Sequence, residues 1–207
     1  MDLTRLKTEM TSLLSKRQLV FTSRLHHQQI QRLSQSSNVR DKNVVVFSEK
    51  RLVGYSMDKM FKVVSDVDKY HKFVPYCRKS VVTLKHPNRL SANLVVGFQP
   101  FFNLSYTSHV TMIQPHLITA VCRDVRIFDH LRTVWKFNPS PDNHPEACLI
   151  DFAVSFSFKS SSHSTISKLF LDSIVRDNVK AFIDRAQTKY GPPSRESKQK
   201  SVVVNNL

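Results

Sequence analysis

Glycine is scarce in this chain of 207 residues, which contains three: Gly54, Gly97 and Gly191. Phosphate-binding loops and dinucleotide-binding turns need two or three glycines within a few residues, because the backbone must approach the ligand closely. The three glycines lie far apart along the chain. Both motifs are therefore excluded, and the usual nucleotide-binding folds lose their support.

Cysteine is also rare, and the spacing of the cysteines does not indicate a particular kind of site. Cys77, Cys122 and Cys148 are odd in number and form no CxxC pair, so we predict free thiols in a reducing compartment rather than a disulfide framework. The nine histidines show no HxH or HExxH spacing. We therefore expect no metal site.

Acidic residues number 16 against 31 lysines and arginines. Nearly all of them fall in turns or at polar positions of the pattern, whereas a catalytic acid–base pair would have to sit inside a cavity. No apolar run approaches the ~18 residues needed to span a bilayer. We therefore expect a binding protein rather than an enzyme, with no catalytic cofactor and no transmembrane helix.

The excess of basic residues gives a formal net charge of +15. Residues 1–40 hold seven basic and two acidic side chains, a net of +5, so the rest of the chain carries +10. A balance of this kind favours polyanions such as anionic lipid surfaces or nucleic acid.

Three segments differ in composition. Residues 1–37 place arginines and lysines among leucines and serines with few acids, which is typical of a mitochondrial transit peptide; a basic disordered tail is the alternative. Residues 38–190 carry the periodic apolar pattern of a folded domain. Residues 191–207 begin with Gly-Pro-Pro and are predicted to be a disordered tail.

Apolar residues alternate with polar ones over 90–98, 102–112, 131–137 and 150–158, which predicts β-strands with one buried face. Less regular strands are expected at 44–47, 78–85 and 116–124. Two short helices follow the first strand, and a long apolar stripe over 164–190 predicts a final helix about 40 Å long at ~1.5 Å per residue. The prediction is an α+β fold, in which a curved antiparallel sheet of six to seven strands wraps around the long C-terminal helix.

This order of elements is that of the START-like helix-grip superfamily, which also includes the polyketide cyclases. Several segments closely resemble the mitochondrial coenzyme Q-binding protein family: YSMDKMFKVVSDVDKYHKFVPYCRKS at 55–80, VGFQPFFNLSYTSHV at 96–110, FDHLRTVWKFNP at 128–139, DFAVSFSF at 151–158 and DNVKAFIDRAQTKYGP at 177–192. The resemblance covers about residues 42–192. Tyr76 stands where the family's FVPWC motif has tryptophan, another flat amphipathic side chain.

The resemblance implies a protein that binds ubiquinone, or a related polyprenyl lipid, in an apolar tunnel. It also implies a lipid carrier or chaperone that supports coenzyme Q biosynthesis and respiratory electron transport, in contact with the complexes of those pathways. The implied location is the matrix side of the mitochondrial inner membrane, where the protein would be peripheral. Bacterial relatives include a ribosome-association toxin, so a ribosome- or RNA-binding module remains the alternative, although we favour a lipid over nucleic acid.

Two sets of residues follow as candidates. The tunnel lining is predicted to comprise Phe73, Val74, Pro75, Tyr76, Tyr106, Trp135, Phe170, Leu171, Ile174 and Val175. Plain core packing is the alternative for each of them. The membrane-docking set is Lys69, Lys72, Arg78 and Lys79, because basic side chains interspersed with apolar ones suit the surface of an anionic bilayer.

Overall fold

An eight-stranded antiparallel sheet forms the body of the protein in the computed structural model, which describes residues 44–98, 102–124, 126–159 and 177–206. The predicted transit segment, residues 1–37, lies outside the described residues. The spatial order is β2-β3-β4-β5-β6-β7-β1-β8. The strands are β1 (Val45–Val53), β2 (Cys77–His86), β3 (Arg89–Phe98), β4 (Phe102–Ile113), β5 (Leu117–Cys122), β6 (Phe128–Pro139), β7 (Cys148–Phe158) and β8 (Lys198–Asn206).

The two faces of this curved sheet follow from the period-2 pattern of the sequence. In β3, Leu90, Ala92 and Leu94 are buried, whereas Asn93 between them is exposed. Directly paired residues of neighbouring strands share a face, so the register extends this buried, concave face across the sheet. The antiparallel α+β architecture agrees with the sequence-based prediction.

Two short helices connect β1 to β2. Helix α1 (Met57–Ser65) begins at Ser56, whose hydroxyl accepts a hydrogen bond from the Lys59 backbone N–H. Its apolar face buries Met60, Phe61 and Val64 at helical spacing. A 3₁₀ helix (Val67–Lys72) follows at once and ends before Pro75, which cannot continue a helix.

The C-terminal helix is described over residues 177–190 and is labelled α2. Val179, Phe182 and Ala186 are buried at helical spacing. The helix ends at Gly191, which adopts a φ of +83° that favours glycine. Residues 164–176 of the predicted long helix lie outside the described residues. This range includes four candidate lining residues, Phe170, Leu171, Ile174 and Val175.

The prediction of a disordered tail over 191–207 is wrong for most of that segment, because β8 (Lys198–Asn206) pairs antiparallel with β1. This strand also raises the strand count from the predicted six or seven to eight. The segment is held before the strand by Ser194, whose backbone N–H donates to the Gly54 carbonyl at 2.9 Å. A Cβ atom on Gly54 would lie 2.4 Å from the Arg195 carbonyl oxygen, so the crossing requires glycine.

Candidate functional site

A cluster of aromatic rings packs α2 against one end of the concave face. The Phe182 ring centroid lies 4.8 Å from that of Trp135, 5.2 Å from that of Tyr70 and 5.2 Å from that of Phe73. Trp135 also contacts Phe152 on the neighbouring strand at 4.4 Å. Most of these contacts are edge-on or tilted, as aromatic rings prefer, so this end of the concave face is closely packed.

A second aromatic cluster lies further along the same face. The Tyr106 ring centroid is 5.5 Å from that of Phe128, and the Phe128 ring is 4.9 Å from that of Phe158. Met112 lies six residues beyond Tyr106 on β4. It pairs with Ile118 of β5, which in turn pairs with Trp135 of β6. Along β4 this interval is roughly 20 Å at about 3.4 Å per residue, although the Tyr106 side chain still lies close enough to Tyr70 of the first cluster to help raise the pKa of Tyr70.

Small side chains occupy the interval between the clusters. The register places Val110, Ala120, Thr133 and Val154 in one row across β4, β5, β6 and β7. Ala120, Thr133 and Val154 are half-buried, although Trp135 and Phe152 in the adjoining row are buried. Within the part of the chain that the structure describes, the centre of the concave face is therefore less closely covered than its packed end, and its surface there is largely apolar.

Two hydroxyl-bearing side chains lie beside this interval. Tyr106 and Ser108 occupy successive concave-face positions of β4, and Ser108 pairs directly with Cys122 of β5. Burial raises the pKa of the Tyr106 hydroxyl, and the nearby Cys122 and Cys77 thiols raise it further, so this group stays protonated. Burial also raises the pKa of Cys77, to about 11, which keeps that thiol protonated.

A buried carboxylate, Glu49, lies on the same face of β1 and is 2% exposed. One of its oxygens pairs with the Arg51 guanidinium, whereas Oε2 has no hydrogen-bond partner. Glu49 sits between Phe152 of β7 and Val202 of β8 in the register.

The structure places the predicted lining residues in three environments. Trp135, Phe73 and Tyr106 belong to the two aromatic clusters just described. Val74 is half-buried against the core, and Pro75 is half-buried in the turn that precedes β2. In that turn Tyr76 has a φ of +64° and a side chain that is 37% exposed.

The predicted docking residues surround the same turn. Lys72, Arg78 and Lys79 are exposed, whereas Lys69 is half-buried and lies 4.0 Å from the Asp68 carboxylate. Exposed apolar side chains continue along β2, where Val81 is 40% and Leu84 is 53% exposed. We call the exposed residues Lys72, Tyr76, Arg78, Lys79, Val81 and Leu84 the basic corner.

Three residues of the site were missed by reasoning from the sequence. Phe182 carried a detectable signal, because it lies on the apolar stripe of the final helix. Ser108 and Glu49 carried a weaker one, since each is a polar residue at an apolar position of a strand. At such a position the sequence pattern alone does not show whether the polar residue marks an irregular strand or a functional group.

Metal clusters and membrane-spanning helices are both absent from the described residues. Within residues 44–98, 102–124, 126–159 and 177–206, no group of three or more His, Cys, Asp or Glu side chains is arranged to hold a metal ion. No helix in the same part of the chain is long and apolar enough to cross a bilayer.

The family described as polyketide cyclase / dehydrase and lipid transport matches residues 53–183. Among curated proteins, the mitochondrial coenzyme Q-binding protein of Drosophila melanogaster is 44% identical over 151 residues, which is 73% of this chain and 62% of the relative. A mitochondrial coenzyme Q-binding protein homolog of Xenopus laevis is 40% identical over 147 residues, or 71% of this chain and 60% of the relative. The chain thus spans about three fifths of each.

More distant similarities cover the same part of the chain. The ribosome association toxin of Vibrio cholerae is 27% identical over 144 residues, which is 70% of this chain and 96% of the toxin. A STAR-related lipid transfer protein from Xanthomonas axonopodis has a TM-score of 0.56 at 12% identity, covering 73% of this chain and 97% of that chain. A START superfamily protein from Mycobacterium smegmatis has a TM-score of 0.55 at 16% identity, covering 70% of this chain and 99% of that chain.

These structural similarities establish the START-like fold, since their sequence identities are too low to carry more. The family match extends over more than half of the chain and includes α1, all the strands from β2 to β7 and the first half of α2. The chain therefore belongs to the polyketide cyclase / dehydrase and lipid transport family and is similar, within it, to the mitochondrial coenzyme Q-binding proteins.

Proposed function

We propose that this protein binds ubiquinone between the concave face of the sheet and the C-terminal helix, and acts as a carrier or chaperone for it in mitochondria. The observation that supports this most directly is the row of small, half-buried side chains between the two aromatic clusters. The identity of the ligand is inferred from the relatives in fly and frog, which are named coenzyme Q-binding proteins.

The energetic reason for such a carrier lies in the isoprenoid tail. Burying one CH₂ group is worth ~0.8 kcal/mol, so a five-carbon unit contributes about 4 kcal/mol. A polyprenyl tail therefore does not enter water alone. A face lined by Val110, Ala120 and Val154 offers it an environment comparable with the interior of a bilayer, so that transfer between the two costs little.

The basic corner is the proposed point of contact with the membrane. Its exposed cations are expected to attract anionic lipid headgroups, each contributing about 1 kcal/mol near the surface. Tyr76, Val81 and Leu84 supply apolar area that can enter the interface beneath the charges. This mixture supports peripheral association with an anionic membrane such as the inner mitochondrial membrane.

Extraction of bound lipid tests the proposal. The purified protein is extracted with organic solvent and analysed by mass spectrometry, with and without prior incubation with ubiquinone. We expect ubiquinone to copurify or to be taken up at a stoichiometry near one. Protein that is empty and also fails to take up added quinone would contradict the proposal.

A space-filling variant locates the site. Ala120→Phe places a ring in the half-buried centre of the concave face and should abolish quinone retention. Thr111→Phe adds the same ring at an exposed position of β4 and should retain quinone normally. Equal retention by both variants would show that the ligand does not lie over Ala120.

A further inference from the structure

The Tyr106 and Ser108 hydroxyls are two polar groups on an otherwise largely apolar part of the concave face. Both side chains point to the same face of β4, because they are two residues apart in a strand. Ser108 is 5% exposed and Tyr106 is half-buried. Neither hydroxyl forms a hydrogen bond with any residue that the structure describes, although most buried hydroxyls in proteins have a partner.

The convex face of the same strand shows the usual arrangement. The Thr107 hydroxyl donates to the Asn93 side-chain oxygen at 3.0 Å, and His109 lies 3.1 Å from the Ser91 hydroxyl. The Tyr106 and Ser108 hydroxyls, which face inward, have no such bond within the described residues. A hydroxyl on an apolar face gains free energy when a ligand supplies its hydrogen-bond partner, so these two groups suit a ligand that offers polar atoms.

The chemistry of the pair restricts that partner. Because its pKa is raised, the Tyr106 hydroxyl is protonated at neutral pH and is available as a donor. A quinone ring offers carbonyl and ether oxygens, which only accept hydrogen bonds. About 7 Å separates the two Cα atoms, so the hydroxyls can reach two different oxygens of one ring.

We propose that Tyr106 and Ser108 form the head-group subsite for the quinone, with the isoprenoid tail extending over Ala120 and Val154 towards Trp135. This inference rests on the proposed function. It fixes the orientation of the ligand: the ring lies at the Tyr106–Phe128 cluster, and the tail extends towards the Trp135–Phe182 cluster.

Two ligands separate recognition of the ring from recognition of the tail. Ubiquinone with a two-unit tail contains both parts, whereas squalene is an isoprenoid hydrocarbon without any oxygen. The variant carrying both Tyr106→Phe and Ser108→Ala should bind the quinone about tenfold more weakly, as expected for the loss of two net hydrogen bonds, and should bind squalene as the wild type does. Ser105→Ala, which removes an exposed hydroxyl from the other face of β4, is the matched control.

A vibrational measurement provides a readout that a merely structural role would not change. The infrared carbonyl stretch of bound ubiquinone should lie at lower frequency in the wild type than in Tyr106→Phe, because a donated hydrogen bond weakens the C=O bond. Unchanged quinone affinity and carbonyl frequency in the double variant would overturn the head-group subsite while leaving the proposed function intact. An equal loss of both ligands would overturn it too, whereas a wild type that binds neither ligand would contradict the proposed function itself.

Discussion

Phe182 is the side chain that connects the C-terminal helix to three other parts of the structure. Its ring contacts the 3₁₀ helix at Tyr70, the following turn at Phe73 and the sheet at Trp135. Each contact is edge-on, and the side chain is 4% exposed. A single residue therefore sets how closely the helix approaches the packed end of the concave face.

Truncation of the Phe182 side chain should strongly destabilise the folded protein. Phe182→Ala is expected to lower the free energy of unfolding by about 3–5 kcal/mol, because it removes a buried ring and leaves a cavity among three aromatic neighbours. Urea denaturation followed by circular dichroism measures the change. Gln187→Ala, at an exposed position of the same helix, should alter the unfolding free energy by less than about 0.5 kcal/mol. A comparable loss in both variants would refute the role assigned to Phe182.

Asp142 gives a residue-scale prediction about pH. Hydrogen bonds from the Ser140 hydroxyl and the Arg195 guanidinium lower the pKa of its carboxyl well below the ordinary 3.8. Because the folded-state pKa is depressed, the stabilisation is fully present above the ordinary pKa and is lost as the pH falls through the lowered value.

We therefore expect Asp142→Asn to lose less thermal stability than the wild type on acidification below pH 3.8. Melting temperatures recorded across this range test the difference, and Asp129→Asn, at an exposed position of β6, serves as the control. Parallel wild-type and Asp142→Asn curves would show that this carboxylate does not contribute to the acid sensitivity.

At the scale of elements, β8 covers the edge that β1 would otherwise expose. The strand is mostly polar, and among its valines Val202 packs partly against the core whereas Val203 is 45% exposed. The Arg51 guanidinium bridges the two strands, since it pairs with Glu49 and donates to the Gln199 side chain at 3.3 Å. An edge covered in this way is protected from pairing with another chain.

Val202→Asp should release β8 from the sheet. The new carboxylate would lie opposite the buried Glu49, so like-charge repulsion adds to the loss of apolar contact. Hydrogen–deuterium exchange should accelerate over 198–206 and at the β1 amides that face β8. Val203→Asp places the same charge at an exposed position and should leave the exchange pattern nearly unchanged; faster exchange there as well would indicate that β8 responds to any added charge.

The helices and the inner strands could be predicted from the sequence because their signals are local. Ser56 caps α1 directly before an apolar stripe, and residues 150–158 alternate strictly. The pairing of β8 with β1 could not be predicted in the same way, because three valines in a polar segment become a strand only when a distant edge is available. The placement of Glu49 follows the same rule, since its burial depends on Arg51 and on strands far away in sequence.

At the scale of the whole molecule, a net charge of +15 makes attraction to anionic surfaces strong and dependent on salt. Charge alone does not distinguish a lipid surface from RNA. The basic corner does favour one of them, because Val81 and Leu84 lie exposed beside its cations and have no role in contacting phosphates.

Vesicle binding is therefore expected to depend on the basic corner. Replacing Lys72, Arg78 and Lys79 by Gln should weaken binding to vesicles of phosphatidylcholine with 30% phosphatidylglycerol by about tenfold or more, at about 1 kcal/mol per cation. The control replaces Lys180, Lys189 and Lys198 by Gln, which removes the same charge from other exposed positions. Cosedimentation measures both. Equal effects of the two triple variants, or stronger and salt-sensitive association with ribosomes than with vesicles, would favour the ribosome-binding alternative.

Trp135 is the one tryptophan in the sequence, and it lies in the row next to the one over which the isoprenoid tail is proposed to extend. All indole emission from the protein consequently originates at that point. A quinone ring quenches an excited indole on close approach, whereas a saturated or isoprenoid chain does not. Titrating the unlabelled protein with quinones whose tails differ in length would thus report, by the extent of quenching, how far from the indole the ring comes to rest.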